Sequence, residues 1–195
     1  MHYNLRITSA PAVEPVSTSE AKLHCRVDYD ADDTLFAAWI TAAREYAETY
    51  QRRALITQML EMSLPAFPCG EIVLPRPPLQ SVTSIAYVDA NGDSQTLNSS
   101  LYQVDTRGIV GRVKPAYGQV WPSTRCETYN AVTITYVAGY GDAATAVPRA
   151  TVAAIKLLVG HLNENREMVI TGTIIGKVPF SIENLLNPNR VLEAL

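Results

Sequence analysis

Histidine and cysteine are scarce in this chain, with three of each among 195 residues. Cys25, Cys69 and Cys126 are odd in number and far apart. That spacing matches neither a disulfide framework nor a paired-cysteine zinc site, and reduced thiols are expected. Only His2, His24 and His161 are available as near-neutral bases, and no Gly-x-Ser-x-Gly elbow accompanies them. No apolar run is long enough to span a bilayer. The first residues, Met1-His2-Tyr3-Asn4-Leu5-Arg6, hold no apolar signal core, so synthesis in the cytoplasm without membrane attachment is expected. Excess positive charge is also missing. Against 19 acidic residues stand 16 basic ones, a formal net charge of −3. A protein that coats DNA needs a basic surface, and the totals give no ground for one. Internal repeats and low-complexity segments are absent as well. What the chain has is an ordinary apolar fraction, 47%, and enough length to bury a core without staples. One domain, or a domain with a sizeable insertion, is expected.

The most informative stretch is Val147 to Glu167. Pro148 suits a helix start, where a missing N–H is harmless. Val152, Ile155, Leu158, Val159 and Leu162 recur at steps of three and four and so share a face. Ala153 and Leu157 widen the stripe over most of the turn. A helix this apolar is buried on more than one side. It is either the central helix of one core or a helix that also packs on a neighbouring subunit.

Residues 1–16 carry Pro11 and Pro15 and predict an extended arm. Ser17-Thr18-Ser19-Glu20 is a capping box, which predicts a short helix to about Arg26. Asp30 is expected to cap a second helix that ends near Arg52-Arg53. Leu35, Phe36, Trp39, Ile40, Ala43, Tyr46, Ala47 and Tyr50 form its apolar face, and Arg44, Glu45, Glu48 and Gln51 its polar one. From Leu55 the period shortens to two: Gln58, Leu60, Met62 and Leu64 alternate with Met59, Glu61 and Ser63. Further short strands are expected at 71–74, 82–88, 94–97, 101–105, 109–113 and 132–137. Asn91-Gly92 is expected to supply positive φ angles to a tight hairpin. The predicted class is therefore α+β. Helices from 17–53 and 147–167 form the core, and 55–141 is an inserted antiparallel β region. The tail, 168–195, has Phe180, Ile182, Leu185 and Leu186 to bury but little length, and a docking segment is expected.

No chemistry-bearing motif is complete. Gly172-Thr173-Ile174-Ile175-Gly176-Lys177 has three residues between its glycines where a phosphate loop needs four, and Pro179 forbids the following helix. His161 and Glu164 lie three apart on a helix, but position 165, where a second zinc-binding histidine belongs, is Asn165. The expectation is a protein that is not an enzyme and holds no metal and no cofactor. Tyr117, Trp121, Tyr129, Tyr136 and Tyr140 gather in or near the β region. They form either the rim of a sheet core or a contact surface, where such rings are over-used.

One ordered set of segments resembles a known family. It comprises Pro15-Val16-Ser17-Thr18-Ser19-Glu20-Ala21-Lys22, Ala42-Ala43-Arg44-Glu45-Tyr46-Ala47-Glu48 and Arg53-Ala54-Leu55-Ile56-Thr57-Gln58. Leu74-Pro75-Arg76-Pro77-Pro78-Leu79-Gln80-Ser81-Val82 and Tyr87-Val88-Asp89-Ala90-Asn91-Gly92 follow. Val137-Ala138-Gly139-Tyr140-Gly141, Val147-Pro148, Asn163-Glu164-Asn165-Arg166-Glu167 and Pro179-Phe180 complete it. In order and spacing these resemble the head–tail connector, or adaptor, proteins of tailed bacteriophages, prophages and gene transfer agents. The resemblance implies a structural subunit that forms a ring under the portal vertex, dodecameric there and monomeric when free. Its implied partners are the portal protein, neighbouring copies of itself and stopper or tail-terminator proteins, with DNA passing through the channel without specific binding. Phe180, Ile182, Leu185 and Leu186 would anchor on the portal, and Val152, Ile155 and Val159 would face a neighbour. The rival expectations are a β module that binds sugar or peptide through Trp121 and its tyrosines, and a hydrolase.

Overall fold

The computed structural model describes residues 3–166 and 180–192. The chain is α+β and divides into two compact units. One comprises 1–12 and 57–140 with 193–195, the other 13–56 and 141–192.

The first unit is made of β-strands. Its five-stranded sheet runs β1-β2-β8-β4-β5, from Asn4–Ser9, Gln58–Leu64, Val132–Ala138, Leu79–Val88 and Ser94–Thr96. Every pairing is antiparallel. The period of two decides the register at the centre. Leu60 pairs with Tyr136 and Met62 with Ile134, so one apolar set meets another on the inner face. A second sheet of three strands runs β3-β7-β6, from Ile72–Leu74, Gly111–Pro115 and Tyr102–Asp105. Ile72, Leu74, Ile85 and Val113 are wholly buried in this unit. Gly111 has a packing reason: a Cβ there would collide with the side chain of Leu79. Tyr136 donates its buried hydroxyl to the Pro75 carbonyl at 2.8 Å, and burial pushes that phenol far above its usual range.

Two local expectations are corrected here. The N-terminal residues are extended but not free, because Asn4–Ser9 closes one edge of the large sheet against β2. In the hairpin only Gly92 takes a positive φ, 98°. The turn is held instead by Asp89, whose Oδ1 accepts from the Asn91 and Asp93 amides at 2.9 and 3.0 Å.

The second unit is helical, with α1 at Thr18–Cys25, α2 at Asp33–Gln51, α3 at Arg149–Glu164 and α4 at Phe180–Leu186. The capping box forms as expected: Ser17 Oγ accepts from the Glu20 amide at 3.2 Å, and Glu20 Oε2 accepts from the Ser17 amide at 3.0 Å. Asp30 is not the cap of α2. That position is Asp32, and Asp30 instead accepts from Lys22 Nζ at 2.6 Å, alongside Asp33 at 2.7 Å. The core joins Phe36, Ile40, Ala43 and Ala47 of α2 to Ala154, Ile155 and Val159 of α3. Ile182, Leu186 and Val191 complete it.

The polar face expected for α2 is the larger correction. Arg44, Glu48 and Gln51 are buried, and only Glu45 of the four is exposed. Burial is tolerated because each group is partnered. Arg44 Nε donates to Glu14 at 2.8 Å, and its NH1 donates to Glu48 at 3.0 Å. The other Glu48 oxygen accepts from the Leu55 amide at 2.9 Å. Gln51 donates to Thr151 at 3.1 Å and to the Leu186 carbonyl at 2.8 Å. The network ties the connection before α1, the turn after α2, α3 and α4 to one helix.

Candidate assembly interface

The residues expected to make contacts with a partner or a neighbouring copy are useful only where they remain accessible. Ile155, Val159, Ile182 and Leu186 do not. Each is at most 1% exposed and packed inside the helical unit. The structure brings these four together, as a core. Leu185 and Val152 are half-buried, and the side chain of Phe180 lies outside the described residues. Of the tail expected to dock, 168–179 and 193–195 also lie outside them. The part that is described, 180–192, folds back on α2 and α3. Val191 donates its amide to Gln51 O at 3.0 Å, and Arg53 Nε donates to Asn189 O at 2.6 Å. This part of the tail is therefore built into the helical core through Ile182, Leu186 and Val191, and is not only a docking segment.

Helix α3 turns Thr151, Ala154, Ile155 and Val159 inward. Its opposite side presents Ala153 and Leu157 to solvent. Beside Ala153 is a groove of about 430 Å³ in the helical unit. Pro15, Ala144, Val147, Val152 and Ala153 make its apolar lining, and Glu20, Arg149 and Lys156 its charged rim. Lys156 Nζ lies 3.2 Å from Glu20 Oε1. The Ser17 amide, with help from Lys156, holds the Glu20 carboxyl below the usual range. One carboxylate thus completes the capping box of α1 and pairs with Lys156 at the rim. The far end of α3 is also fixed. Arg166 donates to Asp32 at 2.8 Å and lies 5.4 Å from the Trp39 ring centre.

In the β unit the aromatic residues divide. Tyr136 is core. Trp121 stacks on Phe67 with ring centres 4.8 Å apart and donates Nε1 to Gly70 O at 2.8 Å. A ring engaged in this way is not an open platform for a sugar. Tyr117, Val120 and Tyr129 are 98%, 86% and 93% exposed. The sequence marked Tyr117 and Tyr129 but not Val120, which has no signal beyond an apolar residue in a loop. Among the described residues there is no group of three acidic, histidine or cysteine side chains placed to hold a metal, and no helix is long and apolar enough to cross a membrane.

Comparison with known proteins gives two findings. Residues 16–106 match the family model described as "Phage gp6-like head-tail connector protein". The fold matches a chain in the neck of an empty gene transfer agent particle computed with sixfold symmetry. There the TM-score is 0.81 at 22% identity, covering 98% of this chain and 97% of the other. A chain in the virion of a native gene transfer agent particle matches with TM-score 0.79 at 23% identity over 98% and 97%. One in a native particle's neck computed with twelvefold symmetry matches at 0.72 and 21% over 97% of each. No curated protein matches the chain. The resemblance carried by the sequence motifs thus agrees with both findings: residues 16–106 are similar to the gp6-like head–tail connector model, and over nearly its whole length the chain shares the fold of a chain in gene transfer agent particles.

Proposed function

We propose that this chain is a structural, non-catalytic head–tail connector subunit. It forms a ring beneath the portal vertex of a phage or gene transfer agent particle, offers the next surface to a stopper or tail protein, and leaves a channel through which DNA passes without specific binding. Made in the bacterial cytoplasm, it enters the particle at assembly. The observation that carries this reading is the nearly complete overlap with a neck-particle chain, 98% of this chain at TM-score 0.81, joined to the connector family match. A formal charge of −3 agrees with a channel that does not retain DNA.

Portal docking is proposed through the C-terminal segment, with a division of labour among its side chains. Ile182 and Leu186 hold it to the helical core, while the half-buried Leu185 and the 79% exposed Leu192 keep apolar surface available. Electron microscopy of the purified protein, alone at high concentration and mixed with portal rings, tests the reading. Closed rings on the portal are expected, and L185D/L192D should remove them while the helical content is kept. A protein that stays monomeric and unbound in both conditions would sink it.

A further inference from the structure

We propose that Asn91 is a modification site: it loses its side-chain amide by spontaneous deamidation, and the Asp89 carboxylate sets how fast. Asn91 is the one asparagine of the chain that is followed by glycine. The reaction is an attack by the backbone nitrogen of the next residue on the asparagine Cγ, and glycine has no Cβ to shield that nitrogen. The new C–N bond closes a five-membered succinimide. The bond from Cγ to the side-chain nitrogen breaks, and ammonia leaves with the proton of the Gly92 amide. Water then opens the ring at either carbonyl, giving aspartate or isoaspartate. The groups that react are accessible. Asn91 is exposed, and its side-chain amide makes no hydrogen bond among the described residues. Asn98, followed by serine, is committed instead: its Oδ1 accepts from the Ser100 amide and hydroxyl, both at 3.0 Å.

The turn itself holds the reaction back. The attacking nitrogen, that of Gly92, donates to Asp89 O at 3.0 Å and must let go before it can reach Cγ. Asp89 keeps the turn closed on both sides. Its Oδ1 accepts from the Asn91 and Asp93 amides, its Oδ2 accepts from Gln95 at 3.1 Å, and its own amide donates to Asp93 O at 2.9 Å. Deamidation therefore proceeds through brief local opening of this turn. Either product then weakens what it passed through. A carboxylate at position 91 stands between Asp89 and Asp93 and adds like charge to the turn. Isoaspartate also lengthens the backbone by one methylene, so the two amides no longer both meet Asp89 Oδ1. The edge strand β5 pairs with β4 alone, from Ala86 opposite Thr96 to Val88 opposite Ser94, and loses its hold at that end.

Storage of the purified full chain in mildly alkaline buffer tests this, read by peptide mass mapping and by labelling with an isoaspartate methyltransferase. The mass gain of an amide-to-acid exchange, and the label, should accumulate at position 91 ahead of every other asparagine. N91A should abolish that label. D89A should raise the rate at Asn91 about tenfold, the factor expected for losing a charge-assisted contact that closes the turn. The wild-type chain in guanidinium chloride should show at least the same rise, which gives the readout without a variant. No mass gain at position 91, an earlier gain at another asparagine, or a rate in denaturant no higher than in the folded protein would overturn the proposal. A rise in denaturant without one in D89A would overturn the part given to Asp89.

Discussion

Arg44 and Glu48, one helical turn apart on α2, form an ion pair of 3.0 Å in which the side chains are only 6% and 4% exposed. A charge pair this deep is stabilising only as a complete set, because each partner alone would be an uncompensated buried charge. R44M should therefore cost about 3–5 kcal/mol in urea unfolding. R44M/E48Q should cost less than the two single changes summed, since the amide oxygen still accepts from the Leu55 amide. Additive costs would show that the pair is not coupled.

The C-terminal segment should behave as part of the helical unit. A chain ending at Pro179 loses Ile182, Leu186 and Val191 from the core and strips Gln51 of its Leu186 partner. The helical unit is expected to lose more than about 4 kcal/mol, seen as an early transition or a loss of helical signal. Q51L, which removes only the hydrogen bonds, should cost about 1–3 kcal/mol. A truncated protein with wild-type stability would contradict the packing described for α4.

These two predictions lie where the sequence was least legible. The Ser17–Glu20 capping box and the alternation from Gln58 to Leu64 depend on neighbours a few residues away, and both formed as expected. Arg44, Glu48 and Gln51 read as a solvated face because charge predicts exposure when partners are unknown. Their partners are remote: Glu14 lies 30 residues from Arg44, and Thr151 and Leu186 lie 100 and 135 from Gln51. No local pattern announces them. The same blindness affected the tail, whose apolar residues looked surplus until α2 and α3 were seen to cover them. The groove beside Ala153 was equally hidden, because it joins Pro15 to α3 across more than half of the chain.

Stability should fall at both extremes of pH, for opposite reasons. Lys22 holds the Asp30 carboxyl below the usual range, and Arg166 does the same for Asp32. The unfolded chain then binds more protons between the folded values and the ordinary carboxylate value of about 4. That contribution is complete above this value and is lost as pH falls through the folded ones. Lys22 is shifted upward, by Asp30 first and Asp33 second. Its contribution is present below about pH 10.4 and is lost as pH rises through the folded value. Urea midpoints measured from pH 2 to 11 should show both limbs. D30N/D32N should flatten the acid one, and an unchanged slope there would count against these pairs.

Gly111 offers a test of packing in the β unit. G111A places a methyl group against Leu79, where no room exists, and should lower stability by about 1–3 kcal/mol. Thermal unfolding compared with G70A gives the control, since a methyl at Gly70 meets nothing within 4 Å. Equal effects would mean that β7 yields more easily than its contacts suggest.

The strands β2 and β8 have a kinetic consequence. They begin and end the long excursion between α2 and α3, and they pair directly, Gln58 opposite Ala138 and Leu64 opposite Val132. Once that ladder zips, the two ends of an excursion more than 80 residues long are already together, and α2 needs to search only a short tether to find α3. Refolding should accordingly protect the amides of β2 and β8 from exchange before those of α3. The excursion then acts as a clasp that sets the pace for the helices on either side of it.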